Sequence, residues 1–264
     1  MTGRVTLASG ITLNTQVDGP KDAPWLILSN SLGATLSMWD PQIPFLTTRY
    51  RVLGYDTRGH GSSDVPNGPY SFDDLVGDVI GLMDALDIEK ACFMGLSMGG
   101  MTGLGLSIDH SDRITRVVCA DGRADAPPPF VAMWDQRMAA VADGGLEAIA
   151  DGTLATWLTE DWRAANPDET AAVRTMVTSN NPDGYIACCK ALQKLDYLKS
   201  LGRAKAPILF VGGSHDMGAS PDVMGAMAAA TPGGIYIEIP NAAHVANISA
   251  PDAFNVAIKD FLSL

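Results

Sequence analysis

The sequence predicts an α/β fold, a mostly parallel, doubly wound sheet with a helical segment inserted late in the chain. Three observations carry this. Short apolar runs of strand length recur at residues 25–29, 50–55, 90–94, 116–120, 207–211 and 234–239. Helix-patterned stretches separate most of them, so consecutive strands are joined by crossovers and pair in parallel, covered on both faces. Residues from about 124 to 200 hold no comparable strand and read as mostly helical.

Taken in order, residues 5–17 alternate apolar and polar around Ser9-Gly10, the pattern of an antiparallel hairpin at a sheet edge. The wholly apolar run at 25–29 suits a central strand, ending in the turn Asn30-Ser31-Leu32-Gly33. Residues 38–48 form a helix broken around Pro41 and Pro44. The strand at 50–55 leads into a polar, glycine-rich loop, Asp56-Thr57-Arg58-Gly59-His60-Gly61-Ser62-Ser63-Asp64. Ser71 caps a helix reaching about Leu86, with Phe72, Leu75, Val76, Val79, Leu82, Met83 and Leu86 on one face. A buried strand at 90–94 precedes a helix of small residues from Met98 to His110. The strand ending at Ala120 closes the first part, and a last helix runs from about Pro251 to Leu264. The expected division is a core of residues 1–123 and 201–264, with residues 124–200 as a helical cap between the sixth and seventh strands.

Composition bounds the function. The chain has 264 residues, 47% of them hydrophobic and 18% charged, ordinary for a globular enzyme. Its longest apolar runs are strand-sized, so no membrane span is expected, and the N-terminus lacks an apolar signal core. A net charge of −12 argues against nucleic acid and anionic membranes as partners. Cys92, Cys119, Cys188 and Cys189 show no zinc-type spacing, and reduced thiols in a cytoplasmic protein are the expectation.

The chemistry centres on Gly95-Leu96-Ser97-Met98-Gly99-Gly100, which fits G-x-S-x-G between a strand and a helix. A serine there sits on a tight turn, and flanking glycines relieve the crowding. Three fixed residues are a weak pattern, so the strand before and the helix after carry the reading. A serine hydroxyl needs a base within hydrogen-bond reach. Of His60, His110, His215 and His244, the order serine–acid–histidine selects His244, after the last strand. Asp216, after the penultimate strand, is the favoured acid, and Asp121, at the end of the preceding strand, is its rival. Backbone amides of Met98 and Leu32 are placed to receive an oxyanion. The N-terminus of the helix after Ser97 adds a favourable field for negative charge.

These stretches, with Leu28 to Gly33, Met38-Trp39-Asp40 and Tyr55 to Gly61, resemble the α/β-hydrolase superfamily, and within it the 3-oxoadipate enol-lactonases. The resemblance implies a Ser97–His244–Asp216 triad, a small-molecule lactone or ester substrate and no cofactor. One stretch departs from it. Those lactonases carry an uncharged Asn-Thr-Ala-Ala type segment where this chain has Asp121-Gly122-Arg123-Ala124. Arg123 is expected either to clamp a substrate carboxylate or to pair with Asp121 or Asp125. Trp134 is expected as a pocket wall or as cap packing. The Arg58 loop is expected to hold strand ends together. Three functions compete: lactone or ester hydrolysis; the same triad acting on a C–C bond, an amide or a peracid-forming reaction; and a ligand-binding hydrolase homologue without turnover. Labelling of Ser97 by a fluorophosphonate, followed by turnover measurements on a substrate panel, separates them.

Overall fold

Eight strands form one sheet in the order β1-β2-β4-β3-β5-β6-β7-β8 in the computed structural model, which describes residues 2–264. Met1, the first residue of the expected core, lies outside them. The strands are β1 Thr2–Thr6, β2 Thr12–Asp18, β3 Trp25–Ser29, β4 Arg51–Tyr55, β5 Ala91–Leu96, β6 Ile114–Ala120, β7 Ile208–Gly213 and β8 Ile235–Ile239. β1–β2 and β2–β4 are antiparallel and every other pair is parallel, so the expected edge hairpin and parallel body are both present. The chain steps from β3 outward to β4, then returns across β3 to β5. Ligand crevices open at the carboxyl ends of strands beside such a reversal.

Helices α1 Ile43–Leu46, α2 Phe72–Ala85 and α3 Met98–Asp109 precede β6. Helices α4 Pro128–Gly144, α5 Glu147–Trp157, α6 Glu160–Ala165, α7 Pro167–Thr178 and α8 Pro182–Leu192 follow it, and α9 Pro221–Ala230, α10 Ala246–Ser249 and α11 Pro251–Leu262 complete the chain. Among the described residues no helix is long and apolar enough to cross a membrane.

Local chemistry explains these boundaries. Ser71 and Asp74 cap α2 reciprocally: Ser71 Oγ accepts the Asp74 amide at 3.2 Å and Asp74 Oδ2 accepts the Ser71 amide at 2.8 Å. Successive strand side chains point to opposite faces. Ile27, Leu53, Phe93, Val117 and Phe210 pack with α2, α3 and α9, whereas Leu26, Leu28, Val52, Met94, Val118 and Leu209 pack with Trp39 and Phe254 on the other side. Helix α3 is buried all round, so its small residues are required. A Cβ on Gly103 would press on Val117 and Phe93, and one on Gly105 on Tyr197 and Val76. A third cluster joins Leu32, Met98 and Met101 of the core to Trp134, Met138 and Tyr185 from the helices after β6, which places those helices above the strand ends.

The Arg58 loop is structural, as expected. Arg58 Nε and Nη2 donate to Asp78 Oδ2 and Oδ1, both at 2.6 Å, and Nη1 lies 3.0 Å from Asp74 Oδ1. This buried fork ties the end of β4 to α2.

Candidate active site

Ser97 occupies the turn between β5 and α3 with φ +54° and ψ −116°, a conformation costly for an L-residue. The surroundings hold it there. A Cβ on Gly95 would overlap the Gly99 carbonyl, and one on Gly99 would overlap the Ser29 carbonyl, so both glycines of the motif are sterically required. The Ser97 amide donates to the Ala120 carbonyl at 2.7 Å and the Gly99 amide to the Asn30 carbonyl at 3.0 Å. These bonds fix the turn to β6 on one side and to the turn after β3 on the other.

His244 lies in the loop after β8. Its Nδ1 donates to Asp216 Oδ2 at 2.8 Å, leaving Nε2 as the nitrogen able to take a proton. Asp216 follows β7 and is buried; its Oδ1 accepts the Gly218 and Ala219 amides at 2.7 and 3.1 Å. Burial pushes the Asp216 carboxyl up, but the His244 imidazole and those two amides together hold it below the ordinary carboxylate value. The two loops are stitched together: the Ser214 amide donates to the Ile239 carbonyl at 3.0 Å and the His215 amide to the Ala242 carbonyl at 2.9 Å. His215 itself is next to the acid in sequence, and its Nδ1 lies 3.3 Å from Ser214 Oγ. His110 is at the far end of α3.

Ser97, His244 and Leu32 line one cavity of about 320 Å³, roofed by residues of α4 and α5. Among the described residues no hydrogen bond joins Ser97 Oγ to His244. A base of this kind tightens onto its nucleophile when the reacting group is bound. The Leu32 and Met98 backbone amides are both without an internal acceptor among the described residues. The turn carrying Leu32 is braced at the next peptide. The Gly33 amide donates to His60 Nε2 at 2.9 Å, and Asn180 Nδ2 donates to the Gly33 carbonyl at 2.8 Å. His60 is fully buried. Burial lowers its pKa despite the Arg58 carbonyl and the Asp56 charge, so the ring is neutral and Nε2 is free to accept.

Arg123 borders the cavity, but its guanidinium is committed. Nη2 pairs with Asp125 Oδ1 at 3.1 Å and Nη1 donates to the Gly218 carbonyl at 2.9 Å. Of the two expectations for Arg123, the ion pair with Asp125 is the one this geometry holds, because Asp125 is two residues away on the same turn. Trp134 lines the cavity and stacks edge-on with Phe130, ring centroids 5.6 Å apart. Asp121 also borders it, fully buried and distinct from the carboxylate that holds His244.

Sequence reasoning missed Arg137. Three residues after Trp134 on α4, it reaches the same cavity, and among the described residues it has no carboxylate partner. Its Nη2 donates to Thr153 Oγ1 at 2.8 Å, Nη1 to Tyr185 Oη at 3.4 Å, and its guanidinium lies 5.7 Å from the Trp134 ring centre. The i, i+3 spacing from Trp134 was the available signal, since it puts both side chains on one helix face.

Comparison with known proteins agrees with this architecture. The sequence profile of the alpha/beta hydrolase fold family matches residues 24–251. The chain is 36% identical over 252 residues to 3-oxoadipate enol-lactonase 2 of Acinetobacter baylyi, covering 96% of this chain and 93% of that protein. It is similar to the crystal structure of the enol-lactonase from Burkholderia xenovorans LB400, with TM-score 0.95, 40% identity, and 99% and 100% of the two chains covered. A thermophilic esterase from Thermogutta terrifontis, solved with malate bound, superposes with TM-score 0.92 at 25% identity over 100% and 98% of the chains. With the profile spanning most of the chain and the strand order, serine turn and histidine–aspartate pair all in place, the chain belongs to the α/β hydrolase fold family.

Proposed function

We propose that this protein is a serine hydrolase of small lactones and carboxylic esters, with an enol-lactone bearing a carboxylate as the best-supported substrate. Ser97 Oγ attacks the acyl carbon while His244 Nε2 takes the hydroxyl proton, and Asp216 stabilises the imidazolium. The Leu32 and Met98 amides receive the developing oxyanion. The tetrahedral intermediate collapses to an acyl-enzyme as His244 protonates the departing oxygen, which in a lactone stays tethered to the acyl group. Water, deprotonated by His244, then attacks the ester carbon and releases Ser97 and the acid. On this reading residues 124–200 are a cap domain that closes the cavity over the core formed by residues 1–123 and 201–264.

The observation that carries the hydrolase reading is the His244 Nδ1–Asp216 Oδ2 bond of 2.8 Å beside a strained serine in one cavity. The similarity to enol-lactonases favours the lactone. Arg137, an unpaired cation in the cavity roof, favours a substrate with a carboxylate, and Trp134 supplies an apolar wall beside it. The test is Ser97→Ala against wild type on p-nitrophenyl acetate, with a fluorophosphonate probe in parallel. Wild type is expected to turn over the ester and take up one probe per chain, and the variant to do neither while keeping its fold by circular dichroism. Equal turnover by both proteins overturns the reading; labelling without turnover favours a binding protein.

A further inference from the structure

Asp121 is a second buried carboxyl at the triad acid. It directly follows β6, has φ +44°, and is 0% exposed. The Gly213 amide donates to its Oδ1 at 2.8 Å. Its Oδ2 is shut off from solvent, and no N–H or O–H of the described residues reaches it in hydrogen-bond geometry. The acid with the largest electrostatic effect on it is Asp216, three residues beyond the Gly213 that holds its Oδ1. Asp216 is the better-solvated anion of the two, with three hydrogen-bond donors: the Gly218 and Ala219 amides and His244 Nδ1. Two carboxyls in a dry site do not both ionise when a single proton between them turns repulsion into a hydrogen bond.

We propose that Asp121 remains protonated and donates its Oδ2 hydrogen to the Asp216 carboxylate, acting as a positioning residue for the His244–Asp216 pair. The inference rests on the triad reading above. Its neighbours support the neutral form. Cys119 on β6 and Tyr236 on β8 face it as uncharged groups, burial pushing the Cys119 thiol up and the Tyr236 phenol to about 12. The Gly213 and Ala246 amides act the other way, favouring the anion, but they rank behind burial and the Asp216 charge. Arg123, on its own segment, is committed to Asp125 and the Gly218 carbonyl. Burial first, and then the Asp216 charge, push the Asp121 carboxyl well above the ordinary carboxylate value. A neutral donor fixes the Asp216 rotamer without adding a second negative charge. A second charge would stabilise the imidazolium of His244 in the resting enzyme and remove the base at the pH where it is needed.

The test uses the full chain with Asp121→Asn and Asp121→Ala. Asparagine keeps a donor toward Asp216, an acceptor for Gly213 and zero charge. The Asp121→Asn variant is expected to hold kcat within about threefold of wild type on p-nitrophenyl acetate and to leave the acid limb of the kcat/KM profile in place. Asp121→Ala is expected to lose about tenfold in kcat with KM unchanged, the worth of one hydrogen bond to a charged group. If Asp121 is instead ionised, asparagine removes a negative charge near His244 and the acid limb moves to lower pH; that result overturns the proposal. Infrared difference spectra of wild type minus Asp121→Asn at pH 7, in heavy water, read the proton without a substrate. A carboxylic-acid carbonyl band present in wild type and lost in the variant supports the proposal, and a carboxylate band there refutes it. The infrared result decides Asp121 even if Ser97 proves not to drive turnover, so the two readings fail separately.

Discussion

On the proposed reading, replacing Arg137 by methionine should remove selectivity for a carboxylate-bearing substrate. Methionine keeps an unbranched apolar stem but removes the guanidinium and its charge. A guanidinium carries five N–H donors. Here two hydrogen bonds are internal, one at 2.8 Å to Thr153 and a weak one at 3.4 Å to Tyr185, so a fork remains for a ligand. Two charge-assisted bonds would be worth about 3–6 kcal/mol if fully dry. Arg137 is only half-buried. Solvent screening reduces the net gain to about 2–3 kcal/mol, which is about 30- to 150-fold in kcat/KM. The assay compares wild type and Arg137→Met on a lactone with a carboxylate tail and on its methyl ester. The loss is expected on the acid alone, mostly in KM, with the methyl ester changed less than about threefold. An equal loss on both substrates would mean that Arg137 shapes the roof and does not read charge, and the carboxylate argument would fall with it.

Arg58→Met should cost about 3–5 kcal/mol of stability, because it strands the buried Asp78 carboxylate, and so lower Tm by about 6–10 °C for a chain of this size. Adding Asp78→Leu should restore most of that in thermal scans; no recovery would show that the loss came from packing and not from charge. His60 gives an acid-side effect. Its folded pKa lies below the ordinary 6.5, so the unfolded chain takes the proton first. Its contribution is complete above about pH 6.5 and is lost on acidification toward the folded pKa, by at most about 1.4 kcal/mol per pH unit. Urea titrations from pH 7 to 5 should show this slope in wild type and a shallower one in His60→Gln, and identical slopes would refute the assignment.

Much of this molecule is local in origin and therefore legible before folding. The strand runs, the Ser71 cap and the glycines beside Ser97 each follow from neighbours within a few residues, and the structure places them as read. His244 and Asp216 were also accessible, because position after consecutive strands is a topological property that chain order preserves. What escaped depends on which faces of distant helices meet. Arg137 shares a face of α4 with Trp134, but which core surface that face meets is decided by distant elements. For Arg123 the sequence left a substrate clamp and an ion pair both open, and its second partner, the Gly218 carbonyl, is far along the chain. Asp121 reads in the sequence as a rival to Asp216 or a partner for Arg123, since the Gly213 amide that holds its Oδ1 is on a distant strand.

The same non-local contacts bear on what the helices after β6 are for. If they only covered the cavity, their contacts with the core would be confined to its rim. Instead Asn180, just beyond α7, donates to the Gly33 carbonyl at 2.8 Å and accepts the Gly61 amide at 2.8 Å. Next along the chain, Gly184 of α8 packs so closely on Gly59 that a Cβ on either would overlap the other's backbone. Gly33 is the residue after Leu32, and its amide is already held by His60. Gly33, the residue next to the proposed oxyanion donor, is thus held at its N–H by His60 and at its C=O by Asn180 after α7. Lifting α7 and α8 away as a rigid unit would break that grip and free the turn to rotate. Among the described residues α4 and α5, which contribute Trp134, Arg137 and Trp157 to the cavity, make no hydrogen bond to that turn. The helices after β6 thus divide by contact: α4 and α5 line the cavity, while Asn180 after α7 holds the turn beside Leu32.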